Sequence, residues 1–318
     1  MKIKVIFIIV LIVSGTVIWG QSSPRTAEEF FTRALINIFE NEYELALKDF
    51  SEAINLKPDF EYAFAFRGDL YRMLGLYDLA ILDLTDAIKI NNNFSFPFIS
   101  RGDVYRVINQ YDLAIKDLNE AARIEPDFFN IYVVRGSTYH DQSQYELALR
   151  DFNEALRLDP VNARIYSTRG SIHWRQGRYE EALDDLNEAV RVNSNDSYAF
   201  LNRGIVYLRL NKLEEAIRDL YEVIRINSDN IKIDRNPAWN FTNRGEAFRL
   251  LEQYDAAIED FNVSIGLRNG EGSSWTYGRR GLAYWALGQR ELAISDLERA
   301  LSMNPTLDWV ITALQEIN

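Results

Sequence analysis

Arginine and aspartate recur through this 318-residue chain at one fixed interval. Arg33, Arg67, Arg101, Arg135, Arg169, Arg203, Arg244 and Arg280 are followed, sixteen residues on, by Asp49, Asp83, Asp117, Asp151, Asp185, Asp219, Asp260 and Asp296. A guanidinium and a carboxylate can pair bidentately through two parallel N–H···O bonds. A spiral of arginines could instead hold an anionic polymer, but the matched aspartates cancel each positive charge. A structural ladder of ion pairs is therefore expected.

Few other residues suggest chemistry. His140 and His173 are the two histidines, and no third ligand accompanies them, so no metal site is expected. Cysteine is absent, which removes disulfides, thiolate metal sites and a cysteine nucleophile. No serine nucleophile elbow, phosphate loop or dinucleotide fingerprint occurs. Gly270-Glu271-Gly272-Ser273 precedes a helical stretch but has no strand before it and no lysine, so it reads as a junction loop. No catalytic residue and no cofactor are expected, and the chain is not read as an enzyme. A net charge of −12 argues against nucleic acid as a partner, since a phosphate-backbone binder needs a basic face.

The ladder's interval points to the elements that carry it. Arg-Gly pairs at 67–68, 101–102, 135–136, 169–170 and 203–204 are spaced by 34 residues, and those at 244–245 and 280–281 follow after 41 and 36. Setting the glycine as eighth residue gives the units 27–60, 61–94, 95–128, 129–162, 163–196, 197–230, 238–271 and 274–307. Within a unit, Tyr132, Gly136 and Tyr139 share one face of a first helix, and Ala148, Phe152 and Ala155 share one face of a second. Pro58, Pro126, Pro160 and Pro305 fall in one slot, where the second helix must stop. Each unit is thus expected to be an antiparallel helical hairpin that buries its seam by stacking on its neighbours. Residues 231–237 read as an insertion, a spacer or a presented loop. Residues 308–318, with Trp309, Ile311, Leu314 and Ile317, read as a capping helix.

This pattern resembles the tetratricopeptide repeat family, whose 34-residue signature sets an aromatic, glycine, tyrosine, alanine, a large apolar residue and proline at fixed offsets. Phe98, Gly102, Tyr105, Ala114, Leu118, Ala121 and Pro126 match it in one unit, and Tyr277, Gly281, Tyr284, Ala293, Leu297, Ala300 and Pro305 in another. The arginine before the glycine departs from the family's usual leucine. The resemblance covers 27–307 and implies an all-α fold, an α-solenoid wound as a right-handed superhelix of antiparallel helix-turn-helix repeats. It also implies a concave wall lined by the second, fifth, ninth, twelfth and thirteenth residues of each unit. On that wall Trp174, Arg175, Arg209, Trp239, Arg249 and Trp285 are the candidate partner-binding residues, because aromatic and arginine side chains dominate interface hot spots. Second-slot aromatics such as Tyr62, Phe96, Tyr198, Trp239 and Trp275 could equally pack on the preceding unit. The family's clamp for chaperone tails is missing, since Ala65, Asp69, Ile99 and Asp103 stand where lysine and asparagine would be needed. The expected function is a non-catalytic scaffold that binds a protein or peptide. A glycan-binding module using the wall's tryptophans is the alternative.

Lys2 and Lys4 precede an apolar run from Val5 to Trp19, followed by Pro24 and small polar residues. Residues 1–20 therefore read as a secretory signal, cleaved after Gly20 or Gly15, or as an uncleaved N-terminal anchor and then the chain's one membrane contact. The protein is expected outside the cytoplasm, in the periplasm or secreted.

Overall fold

A computed structural model describes residues 26–234, 237–268 and 272–317, so the signal expected over 1–20 lies outside the described residues. The described residues are helical and contain no strand. They fall into two compact units, residues 1–159 and 160–318. The first holds α1 (Ala27–Phe39), α2 (Tyr43–Leu56), α3 (Glu61–Met73), α4 (Tyr77–Ile90), α5 (Ser95–Val107), α6 (Tyr111–Ile124), α7 (Phe129–Asp141) and α8 (Tyr145–Leu158). The second holds α9 (Ala163–Arg175), α10 (Tyr179–Val192), α11 (Ser197–Arg209), α12 (Leu213–Ile233), α13 (Ala238–Leu250), α14 (Tyr254–Leu267), α15 (Ser274–Ala286), α16 (Arg290–Met303) and α17 (Asp308–Ile317). No helix among the described residues is long and apolar enough to cross a membrane.

Within each unit, consecutive helices pack as pairs, and the second helix of a pair then lies against the first helix of the next. This is an all-α helical-repeat solenoid. The tight turn inside each pair needs one residue in the left-handed region, supplied by Gly75, Gly177 and Gly288 but also by Asn41, Asn109, Ser143, Asn211 and Glu252. Glycine takes that conformation freely and asparagine tolerates it, whereas serine and glutamate are strained there. Several first helices start at a side-chain cap: Thr26 forms a capping box with Glu29, Asp196 accepts from the amides of Tyr198 and Ala199, and Ser273 accepts from that of Thr276.

The glycine of each hairpin marks the closest approach of its two helices. A Cβ added at Gly136 would lie 2.8 Å from Phe152 Cε1 and 3.3 Å from the Ala148 carbonyl. At Gly102 it would meet Leu118 Cγ at 2.9 Å, while at Gly204 its nearest neighbour stands at 3.4 Å. The second helices contribute fully buried small residues to the same seam, among them Ala80, Ala114, Ala148 and Ala182.

The insertion expected over 231–237 begins as helix, and Arg235 and Asn236 within it lie outside the described residues. Ile231 to Ile233 continue α12, which runs 21 residues against 14 in α10. The continuation is held by buried Ile226 and Asn227, the latter donating to the Val223 carbonyl, and by ion pairs from Arg225 and Lys232 to Asp229. Seven residues are close to two helical turns, so the stripe facing α13 stays on one side of the helix. At the chain's far end, α17 covers Tyr277, Ala293 and Leu297 with Val310, Ala313 and Ile317. Of the residues expected on its apolar face, Ile317 is buried and Trp309 and Leu314 pack partly buried against the same cluster, while Ile311 stays exposed.

Candidate functional site

Each ladder arginine lies on a first helix and its aspartate on the paired second helix. Nε donates to Oδ2 at 2.6–2.8 Å in all eight pairs. Nη2 closes the fork on Oδ1, at 2.9 Å for Arg101–Asp117, and the Arg169–Asp185 pair does the same. The aspartates are buried, and for Arg101 burial works against the charge. Asp117's hydrogen bonds and charge outweigh it, so the guanidinium is held above its ordinary value. Asp260 shows the opposite balance, its carboxyl raised because burial exceeds the pull of Arg244.

The third arginine nitrogen carries a contact that sequence reasoning missed. Nη1 of Arg67, Arg101, Arg135 and Arg203 reaches back sixteen residues to Ser51, Thr85, Asn119 and Asn187, on the preceding pair's second helix. Each of these arginines therefore ties its own hairpin to the one before. Arg244 finds Ser228 at the same interval, because the longer α12 brings a hydroxyl to the position two turns further on.

Apart from the ladder, the first helices of the two units differ in charge. In residues 1–159, Arg72 bonds Asp69 at 2.8 Å and Asp103 at 3.0 Å, and Arg106 bonds Asp103 at 2.9 Å and Asp141 at 2.8 Å. Carboxylates and guanidiniums alternate along that face and satisfy one another. Asp141 is held below the usual carboxylate range: burial opposes this, but the hydrogen bonds from His140 and Arg106 prevail.

In residues 160–318 the first helices hold, among the described residues, one carboxylate, Glu246, with no exposed surface. Arg249 grips it bidentately at 2.7 and 2.9 Å, and Arg279 Nη1 approaches it to 3.1 Å. Burial would raise the Glu246 carboxyl, yet the charges of Arg249 and Arg279 hold it below its ordinary value. Arg279 lies between two indoles, 4.8 Å from the Trp275 centroid and 4.5 Å from that of Trp309. Its Nε is buried without a hydrogen-bond partner, as is Asn243 Oδ1. Burial pushes the Arg279 guanidinium down to about 10, against the pull of Glu246 and helped by Arg249, Arg175 and Arg209.

Of the residues expected to bind a partner, Trp174 and Arg249 are engaged internally. Trp174 Nε1 donates to Asn202 Oδ1 at 3.1 Å, and Arg249 is committed to Glu246. Arg175 and Arg209 are exposed and enter no ion pair among the described residues, although Arg175 Cζ sits 5.8 Å from the Trp174 ring. Trp239 and Trp285 are 45% and 39% exposed, and Trp239 tilts against Trp275 at 6.1 Å. Second-slot aromatics of the other unit pack on their neighbours, Tyr62 on Phe94 at 5.0 Å and Phe96 on Phe66 at 4.9 Å. Arg279 occupies a sixth slot, outside those assigned to the wall. Its signal was the doubled Arg279-Arg280 in a helix without an acid. Among the described residues no group of three could hold a metal ion.

Sequence models of the tetratricopeptide repeat match residues 167–231 and 276–307, and one of the TPR repeat matches 102–143 and 136–177. The chain is a tetratricopeptide repeat protein. A search of curated proteins gives no match to this repeat protein. Among solved structures it is similar to the APC/C hetero-tetramer Cut9-Hcn1, at 17% identity and a TM-score of 0.63, over 91% of this chain and 55% of that one. It thus spans about half the length of that relative. It is also similar to a tetratricopeptide repeat protein from Parabacteroides merdae, at 17% identity and a TM-score of 0.54, over 92% and 98% of the two chains. At such identity both likenesses bear on the fold of this repeat protein alone.

Proposed function

We propose that this protein is a non-catalytic scaffold of eight repeats over 27–307. It takes a protein or peptide partner on the first-helix face of residues 160–318, and residues 1–20 direct it out of the cytoplasm. Tetratricopeptide repeat proteins are generally non-catalytic scaffolds, and their domains commonly bind proteins or peptides. The observation that carries the site is the pair of exposed tryptophans, Trp239 and Trp285, on the face where Arg175 and Arg209 lack an ion pair among the described residues. Indole and guanidinium groups offer large contact area with few rotors to immobilise.

The test is quantitative affinity capture with the full chain, its Trp239→Ala/Trp285→Ala variant and a Tyr221→Ala control. Tyr221 is 54% exposed on a second helix, α12. A specific partner should be lost with the tryptophans and kept with the control; retention in both variants would overturn the site. Export is tested by the mass of the natural chain, which should lack residues 1–20 or 1–15, or by its extraction with the membrane fraction if the N-terminus serves as an anchor. The exposure of Trp239 also favours a second reading, stacking on a cell-wall sugar. Soluble glycans should then shift the tryptophan emission, and on the protein-binding reading they should not.

A further inference from the structure

The ionic balance of the two units separates one face from the rest of the molecule. With the ladder set aside, α9, α11, α13 and α15 carry Arg164, Arg175, Arg209, Arg249 and Arg279 against the single carboxylate of Glu246. The equivalent helices α3, α5 and α7 carry Arg72 and Arg106 against Glu61, Asp69, Asp103 and Asp141, and all of these but Glu61 bond one another in turn. A chain with net charge −12 thus gathers unbalanced positive charge on one surface. The four first helices touch in succession, so this surface is continuous within the unit.

Glu246 cannot neutralise the set. Arg249 occupies both its oxygens, and Arg279 shares one of them. Arg279 is left with a buried Nε that has no acceptor, and its guanidinium is destabilised by burial and by Arg249, Arg175 and Arg209. A buried guanidinium among like charges is stabilised electrostatically when an anion arrives at the exposed arginines beside it.

We infer that this face reads carboxylates: its ligand is an acidic peptide segment, with side-chain carboxylates held by Arg175 and Arg209 and intervening apolar residues resting on Trp239 and Trp285. The inference rests on the scaffold reading above and names the partner's chemistry. A short segment senses mainly charges within about 8 Å at physiological salt, so the acidic remainder of the protein does not repel it. A long polyanion would meet that acidic remainder along its length. The indoles supply apolar contact beside the guanidiniums, which suits alternating acidic and aliphatic side chains.

The test is fluorescence anisotropy with a labelled (Glu-Leu)5 peptide and its isosteric (Gln-Leu)5 counterpart, using the full chain. The glutamate peptide should bind at least about tenfold tighter, and its affinity should fall severalfold between 50 and 300 mM NaCl. R175Q/R209Q should lose about tenfold with an unchanged melting temperature, since neither residue has an ion pair to lose among the described residues. Arg123→Gln, on the exposed side of α6, should change nothing. Equal binding of the two peptides, or no binding of either, overturns the inference. Tighter binding of polyphosphate than of the glutamate peptide reassigns the face to polyanions, and self-association abolished by R175Q/R209Q reassigns it to a second copy. A captured partner that Trp239→Ala/Trp285→Ala releases but R175Q/R209Q retains would leave the scaffold standing and refute the carboxylate reading. A partner retained by both variants would refute the scaffold site itself.

Discussion

Removing one member of a ladder pair should cost far more than an exposed ion pair is worth, and the Arg101–Asp117 pair is the place to measure it. Asp117 is 7% and Arg101 15% exposed as side chains, and two hydrogen bonds of 2.7 and 2.9 Å join them. Asp117→Asn leaves a guanidinium largely out of water without its counter-charge, a loss of about 3–5 kcal/mol. Arg101→Gln leaves the carboxylate and also breaks the 2.8 Å bond to Thr85 Oγ1, adding about 1 kcal/mol. In the double variant no buried charge remains unpaired, so its loss should be at least about 2 kcal/mol smaller than the sum of the two. The terminal pair is an internal control. Arg33 is 35% exposed, and Asp49→Asn should cost clearly less than Asp117→Asn, because solvent screens the freed guanidinium. The assay is urea unfolding followed by far-UV circular dichroism, comparing midpoints at a constant m-value, since repeat arrays can unfold in parts. Additivity within about 0.5 kcal/mol, or equal losses for Asp49→Asn and Asp117→Asn, would refute the reasoning.

Three further outcomes follow from particular residues. Gly136→Ala should destabilise, and Gly136→Val should cost about 1–3 kcal/mol, because the new carbon meets Phe152 and a backbone carbonyl; Gly204→Ala, with its nearest neighbour at 3.4 Å, should instead gain about 0.5–1 kcal/mol of helix propensity. Melting temperatures that move the same way for the two alanine variants would contradict this. Glu252→Gly should stabilise by about 0.5–1 kcal/mol, because Glu252 sits at φ +61° where a side chain is strained; a lower urea midpoint would count against it. Burial lowers the folded-state pKa of His173 below 6.5, so the unfolded chain takes the proton first. Its contribution is complete above pH 6.5 and is lost as pH falls through the folded value. His173→Tyr, which installs the residue of the equivalent positions 71, 105 and 139, should flatten the urea midpoint between pH 7.5 and 5.5 relative to the parent chain.

The repeat was readable from residues because its period is a packing period. Gly136 and Ala148 recur wherever two helices must touch, and the sixteen-residue step from Arg101 to Asp117 carries the ladder across a hairpin. Contacts between successive hairpins were harder to see. Thr85, Asn119 and Ser228 do one job with three side chains, so no single letter repeats at that slot. The continuation of α12 through Ile233 was not visible because it runs past the end of the repeat unit at 230, where no repeat letter marks it. Buried Asn227, bonded to the Val223 carbonyl, and the Arg225–Asp229–Lys232 pairs keep it helical. Arg279 escaped notice for a related reason. A sixth-slot residue ordinarily faces a neighbouring helix, and only a glycine at 278, over which Trp309 packs, leaves room for the guanidinium between two indoles.

Hydroxyl-radical footprinting of the protein with its captured partner addresses the binding face most directly. Trp239 and Trp285 should lose reactivity when the partner is present, while Tyr221 on the second helix α12 stays as reactive as in the free protein. Protection of Tyr221 with both tryptophans unchanged would place the partner on the opposite helices and contradict the account.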